Sequence, residues 1–239
     1  HFLGFLNSKV ASYYFSVINP SVNLQTKDLR SVPYLIDETG EVERLVTEQI
    51  KLAKEDWATQ ETSFEYKGNM LVNTFKLFDV KNLEGAFKKY SSCVSASLNT
   101  FKENEIKISS IFQKLYRIND IDIPFERRDF SIKDCDVKSE IVDLISYFVG
   151  VSTGRYSLDV EGLAYAGGEW NPMNYVTYQP DDDGIIPIYT QLGMADGLTA
   201  RIIKLIKHIY GEDTYRENIE FIAEALGKKQ NESAEETLN

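Results

Sequence analysis

Residues 139–168 read SEIVDLISYFVGVSTGRYSLDVEGLAYAGG, and this stretch decides how the rest of the chain is read. Ile141, Leu144, Ile145, Phe148 and Val149 recur at the spacing of one apolar helix face. Gly150 closes that pattern. Beyond it, Gly154, Gly162, Gly167 and Gly168 punctuate a turn that carries a single arginine, Arg155. Glycine admits backbone conformations closed to other residues, so such a run specifies one local geometry rather than generic packing. The segment therefore reads as a turn fixed at the junction of two helical regions.

Toward the N-terminus, Phe2, Leu3, Leu6, Val10, Tyr13, Tyr14 and Val17 predict a helix over 2–18, ended by Asn19-Pro20. Residues 21–35, with Val22, Leu24, Leu29 and Pro33, read as a short strand plus loops. Val42, Leu45, Val46, Gln49, Ile50 and Ala53 give a helix from 41 to about 54. EDWATQETSFEY (55–66) reads as a loop anchored by Trp57, Phe64 and Tyr66, and 71–80 as extended. Leu83, Ala86, Phe87, Tyr90, Val94 and Leu98 fit a further helix. Thr100 and Glu103 have capping-box spacing for another, which makes an antiparallel pair unless one unbroken helix runs 82–116. Residues 117–138 read as strand–loop–strand with Pro124 at an edge.

Toward the C-terminus, residues 169–190 form a long loop with three prolines and the acidic run Asp181–Asp183, and Ile185–Tyr189 reads as a short strand. Leu198, Ile202, Leu205, Ile206 and Ile209 predict a helix stopped by Gly211. Thr214 and Glu217 form a capping box ahead of Ile219, Ile222 and Leu226, and Gly227 ends that helix. The closing KKQNESAEETLN reads as polar, with no terminal element. The expected fold is mainly α with minor β, an α+β arrangement, divided near 139 into regions 1–138 and 139–239.

The 239 residues suffice for one large domain or two small ones. Net charge is −11, from 37 acids and 26 bases. That balance argues against a stand-alone nucleic-acid binder, whose surface is usually basic. It leaves room for a small basic face, or for a longer protein that supplies positive charge elsewhere. The two ends read as those of a piece of a longer chain. No apolar run approaches the roughly 18 residues of a membrane span, so no membrane partner and a cytoplasmic setting are expected. Cys93 and Cys135 lie far apart and read as reduced, buried, intracellular thiols.

Chemistry is sparse. His1 and His208 are the only histidines, too few and too far from the cysteines for a zinc site. His208 sits near a helix C-terminus, where an imidazolium interacts well with the helix dipole. Asp181–Gly184 lacks the ligand spacing of a calcium loop. No phosphate-binding or dinucleotide glycine motif is present. Asn19-Pro20-Ser21 and Asn171-Pro172-Met173 begin like the Asn-Pro-Pro-aromatic element that holds a flipped adenine, and then depart from it. No catalytic, cofactor-binding or metal residue is assigned. Candidate DNA contacts remain. Arg155 beside Tyr156 suits phosphate contact or stacking, or else Arg155 pairs with Asp159 or a backbone carbonyl and pins its turn. Asn23, Gln25 and Lys27 alternate, so in a strand they would share a face able to read base edges or phosphates, with Lys9 upstream. Arg127-Arg128 is a short basic pair. Arg201 and Lys204, with Lys207 and His208, form a basic ridge opposite a Leu/Ile stripe.

Six segments in order resemble the C-terminal half of the adenine-specific DNA methyltransferases of BREX phage-defence systems, the PglX (BrxX) family. They are FLNSKVASYYFSVINPSVNLQTKDLRSVP (5–33), EDWATQETSFEY (55–66), FKENEIKISSIFQKLYRIND (101–120), ISYFVGVSTGRYSLDVEGLAYAGG (145–168), IIPI (185–188) and ENIEFIAEALG (217–227). The second has Phe64 where the family pattern has Trp, and the third lacks the double acid usual after its Asn. The resemblance implies a parent enzyme that methylates adenine N6 with S-adenosylmethionine and so marks self DNA. Its catalytic and cofactor motifs lie N-terminal to the region matched, so this chain is expected to be non-catalytic and to hold no cofactor. By the same resemblance the chain contributes target recognition and scaffolding. It ends the recognition region and supplies a helical pair before residue 139, then a helical domain after it. The Asn23–Lys27 stretch is also similar to the boundary in restriction-modification specificity domains where a recognition domain ends, which implies that Glu41–Lys54 is a spacer helix. The implied partners are double-stranded DNA through the parent, the N-terminal methyltransferase domain and other BREX proteins. The alternative is a docking module that holds the catalytic domain or other subunits without touching DNA. It predicts an exposed apolar face on the Phe2–Val17 helix.

Overall fold

The computed structural model describes residues 1–21, 23–118, 125–126, 130–189 and 193–239. Among them it is essentially all-α, with no strand and no sheet, so the expected α+β fold is overturned. The helices are α1 (Phe2–Asn7), α2 (Lys9–Ile18), α3 (Thr26–Ser31), α4 (Glu41–Ala58), α5 (Met70–Leu77), α6 (Leu83–Leu115), α7 (Val137–Ser152), α8 (Leu198–Tyr210), α9 (Tyr215–Leu226) and α10 (Ala234–Leu238). They form two compact units. The first comprises His1–Asp56 and Ser95–Asp134, the second Trp57–Val94 and Cys135–Asn239. The α6 helix contributes its first part to the second unit and its remainder to the first.

In the first unit, the expected 2–18 helix is broken at Ser8. Ser8 adopts extended backbone, accepts from Ala11 N through its Oγ, and donates that hydroxyl to Phe5 O at 2.7 Å. A serine in this conformation is a helix N-cap, so α2 starts afresh. Phe5 then stacks on Tyr116, with centroids 5.2 Å apart, and Tyr116 donates its hydroxyl to Pro33 O. Val42 and Leu45 of α4 are fully buried in the same core as Phe112. A fully buried side chain of this size stabilises by roughly 1.5–3 kcal/mol. The strand expected in 21–35 is instead α3. Asp28 Oδ2 accepts from Gln25 N at 2.9 Å and from Asn19 Nδ2 at 2.7 Å, which starts the helix. Val22 lies outside the described residues. So do 119–124 and 127–129 of the expected strand–loop–strand over 117–138, Pro124 included. Its described parts form no strand.

In the second unit, the segment read as extended from 71 is α5, started by Asn69, whose Oδ1 accepts from Leu71 N and Val72 N. The α7 stripe Ile141, Leu144, Phe148 and Val151 is buried and packs with Leu205 and Ile206 of α8 and Ile222 of α9. The helix runs through Gly150 to Ser152 rather than closing at the glycine. The α6 helix is continuous, so no antiparallel pair forms from it. Thr100 does not cap, because its hydroxyl donates to Ala96 O. Asn218 of α9, 1% exposed, accepts from Leu83 N at 2.9 Å and so caps α6 from another helix. Residues 185–189 form no strand. Gly227 ends α9 in the left-handed region, φ 91°. Beyond it the polar tail carries α10, capped by Ser233 and Glu236. Cys135 is half-buried and burial pushes its thiol up to about 11, whereas Cys93 is exposed, against the expectation of a buried thiol.

Candidate nucleic-acid contact surface

The second unit carries the turn that follows α7. Thr153 N donates to Val149 O, Gly154 N to Val151 O and Tyr156 N to Gly150 O, so the chain folds back over the end of its own helix. Gly154 has φ +82°, a conformation that glycine adopts without strain. The reversal lays the Tyr156 ring on Gly150, where a Cβ would stand 2.4 Å from Tyr156 Cδ2. Tyr156 stacks on Tyr147 at 5.4 Å and meets Tyr66 edge-on at 5.5 Å. It is 2% exposed. Its hydroxyl donates to Glu61 Oε1 at 2.9 Å, and burial with that carboxylate pushes the phenol up to about 12.

Glu61 is the hub of the site. Its other oxygen accepts from Ser146 Oγ at 2.7 Å. Arg155 Nη1 lies 3.9 Å from Glu61 Oε1, and the guanidinium stands 5.3 Å from the Tyr156 ring centre. Arg155 is thus steered by a carboxylate and an aromatic face. Its side chain is 56% exposed. Asp159, the partner weighed from sequence, is engaged elsewhere and accepts from Thr177 N at 2.8 Å. Burial acts to raise the Asp159 carboxyl, but the Thr177 hydroxyl and backbone N–H hold it below its ordinary value.

A second aromatic pair stands beside Arg155. Trp170 stacks on Tyr175 with centroids 4.3 Å apart and planes within 4°. Tyr175 is buried and donates its hydroxyl to Gly154 O. A Cβ at Gly154 would stand 3.0 Å from the Trp170 ring. Tyr165 meets Trp170 edge-on at 5.2 Å, and Ala164 N donates to Arg155 O at 2.9 Å. Trp170 itself is 46% exposed, as are Met173 and Val176 more fully nearby. Met173 rides on a 3-10 turn, Pro172–Asn174, capped by Asn171. Glu61, Trp170 and Tyr175 escaped the sequence reading, although a tryptophan after a Gly-Gly pair in a polar loop was a signal to follow.

The other candidates are dispersed. Arg201 is paired with Asp181 and only 20% exposed, and Asp181 N in turn donates to Ser152 O. Lys204 is exposed, with its ammonium 5.5 Å from the Tyr178 ring centre, and Lys207 pairs with Glu212. The ridge is therefore partly neutralised. His208 packs near Tyr178. In the first unit, Gln25 is the residue before α3 and Lys27 lies within that helix, so with Asn23 they do not form the alternating strand face expected. All three are exposed. The Lys9 ammonium is 5.6 Å from the Phe125 ring centre. Arg127 and Arg128 lie outside the described residues. Among the described residues, no group of three or more His, Cys, Asp and Glu could hold a metal ion.

No family model matches the chain. Two curated relatives do. The chain is 31% identical over 238 residues to the adenine-specific methyltransferase PglX of Lacticaseibacillus casei (strain Zhang), covering 98% of this chain and 20% of that protein. It is 32% identical over 270 aligned positions to the adenine-specific methyltransferase BrxX of Escherichia coli O9:H4 (strain HS), covering 99% of this chain and 21% of that protein. The chain thus spans about a fifth of the length of the relatives it matches.

Proposed function

Because the chain is homologous to the PglX/BrxX adenine-specific methyltransferases of BREX systems, we propose that it is a non-catalytic, DNA-contacting portion of such an enzyme. The observation that carries this reading is Arg155. Its guanidinium is exposed, oriented by Glu61 and Tyr156, and set on a turn that Gly154 permits and the Trp170–Tyr175 stack packs against. A planar fork held this way suits a phosphate, which it can meet with two parallel hydrogen bonds. The methyl donor, S-adenosylmethionine, and the reacting base belong to another part of the parent. No helix among the described residues is long and apolar enough to cross a membrane, and a cytoplasmic parent belongs to the same proposal, because that is where its DNA would be met.

The test is Arg155→Gln in the full-length parent. DNA affinity is expected to fall about 3- to 10-fold, the loss of one phosphate contact, with S-adenosylmethionine affinity unchanged. Unchanged DNA affinity would refute the contact. Methylation by the isolated 239-residue chain would refute its non-catalytic role.

A second reading has its own observation. Phe2, Leu3, Val17, Leu24 and Ile36 of the first unit are exposed. Exposed apolar side chains mark an interaction site where they form one contiguous patch, and Phe2 and Leu3 are adjacent on α1. They favour docking of the catalytic domain or another BREX protein on this unit. Loss of that association in a Leu3→Asp, Val17→Asp variant, with DNA binding intact, would separate the two roles.

A further inference from the structure

We infer that the Tyr175–Trp170 pair is a stacking platform for an unpaired or extruded nucleobase, with Arg155 on the adjoining phosphate, an inference that rests on the DNA-contact reading above. The sequence pointed to Tyr156 as the aromatic beside the arginine, but Tyr156 is buried under Gly150 and faces Tyr147, so no base can reach its ring. Trp170 can be reached. One of its faces is occupied by Tyr175, nearly coplanar at 4.3 Å, and Tyr165 stands nearly perpendicular to it at 5.2 Å, while nearly half of the residue's surface stays open. Tyr175 is locked by its hydroxyl on Gly154 O. The indole is therefore already fixed in the folded chain, and a base placed on it costs little further side-chain ordering. A third flat ring extends the Tyr175–Trp170 stack in the geometry that bases adopt on aromatic side chains.

Arg155 fixes the strand that carries the base. It follows Gly154, against which Trp170 packs, so arginine and indole meet the same hydrogen-bonded turn, held by Gly154 N on Val151 O and Ala164 N on Arg155 O. Base pairs inside a duplex present their edges and not their faces, so the base must be single-stranded or turned out of the helix. Glu161 and Glu169 lie in the same loop, so Coulomb attraction contributes little beyond Arg155. Binding at the platform should then depend on stacking more than on salt, about one phosphate contact in the salt slope.

The chain has two tryptophans, Trp57 and Trp170. In a Trp57→Phe background the emission comes from Trp170 alone. Titration with a single-stranded oligothymidylate should quench it saturably, and the same strand with abasic sites in place of bases should not. Trp170→Leu should weaken oligothymidylate binding, read by anisotropy of a labelled strand, about 5- to 100-fold, the range of one lost base stack. Trp170→Phe keeps a flat ring and should retain most of the affinity, which separates stacking from a folding defect. DNA binding undiminished in Trp170→Leu, with no quenching, would overturn the platform and leave the DNA-contact reading standing. Absence of DNA binding by the chain and by the full-length parent at low salt would overturn both.

Discussion

The Tyr156 ring lies where a side chain at position 150 would begin. Gly150→Ala would gain helix propensity of about 1 kcal/mol, yet its methyl would meet ring carbons at 2.4 and 2.8 Å. The ring cannot yield, since it is held by Tyr147 and by Glu61. The expected outcome is a net loss of about 1–2 kcal/mol by chemical denaturation, together with a perturbed Tyr156–Glu61 contact. Asp28 gives a pH signature. The Asn19 side chain and Gln25 N–H hold its carboxyl below its ordinary value of 3.8. A carboxyl lowered in the folded state stabilises fully above its ordinary value and ceases to do so as pH falls through the lowered one. Amide protection across residues 19–31 should therefore decline as pH drops below about 4, and Asp28→Asn should abolish that step. Arg155 and its glycine turn were visible in the sequence because local spacing encodes them. Glu61 was not, since it lies 95 positions before Tyr156, a separation that no local pattern reports.

Helices α7, α8 and α9 follow their apolar stripes closely, because each buries one face in a common core and the 3.6-residue period records that burial. Elements started by a side chain were harder to read. Val72, Phe75 and Phe78 have the β-branched and aromatic character of a strand, and Asn69 overrides it by satisfying the first N–H groups of a helix. The capping box read at Thr214 and Glu217 is spent differently. Glu217 pairs with Lys81 and accepts from Asn82 at 2.6 Å, while Thr214 accepts from Asn218 Nδ2. Lys81 and Asn82 hold the Glu217 carboxyl below its ordinary range. Asn218 is the joint of this arrangement. Asn218→Ala should leave the Leu83 N–H buried without a partner and destabilise by about 1–3 kcal/mol, with the first turn of α6 showing the largest rise in amide exchange.

At the scale of the whole molecule, the net charge of −11 opposes nucleic acid, and open cations such as Arg155 and Lys204 must act against it. On the DNA-contact proposal, the logarithm of affinity should therefore fall with the logarithm of salt at a slope of only about −1 to −2, and Arg155→Gln should reduce that slope by about 1. The charge of a whole chain is legible at once in composition, whereas the division into units is not, because both are assembled from separated segments. That interleaving sets the order in which each unit's segments become available during synthesis. Synthesis is vectorial, and early segments fold as soon as their partners emerge. The first unit is complete once residue 134 is out, while Trp57–Val94 hang from it as a loop. Leu71, Leu83 and Tyr90 in that loop wait for α7, α8 and α9 to give them a core. While residue 134 has emerged and α9, ending at Leu226, has not, the first unit can be finished but the second exposes apolar side chains without their core, the interval in which a chaperone would be needed most.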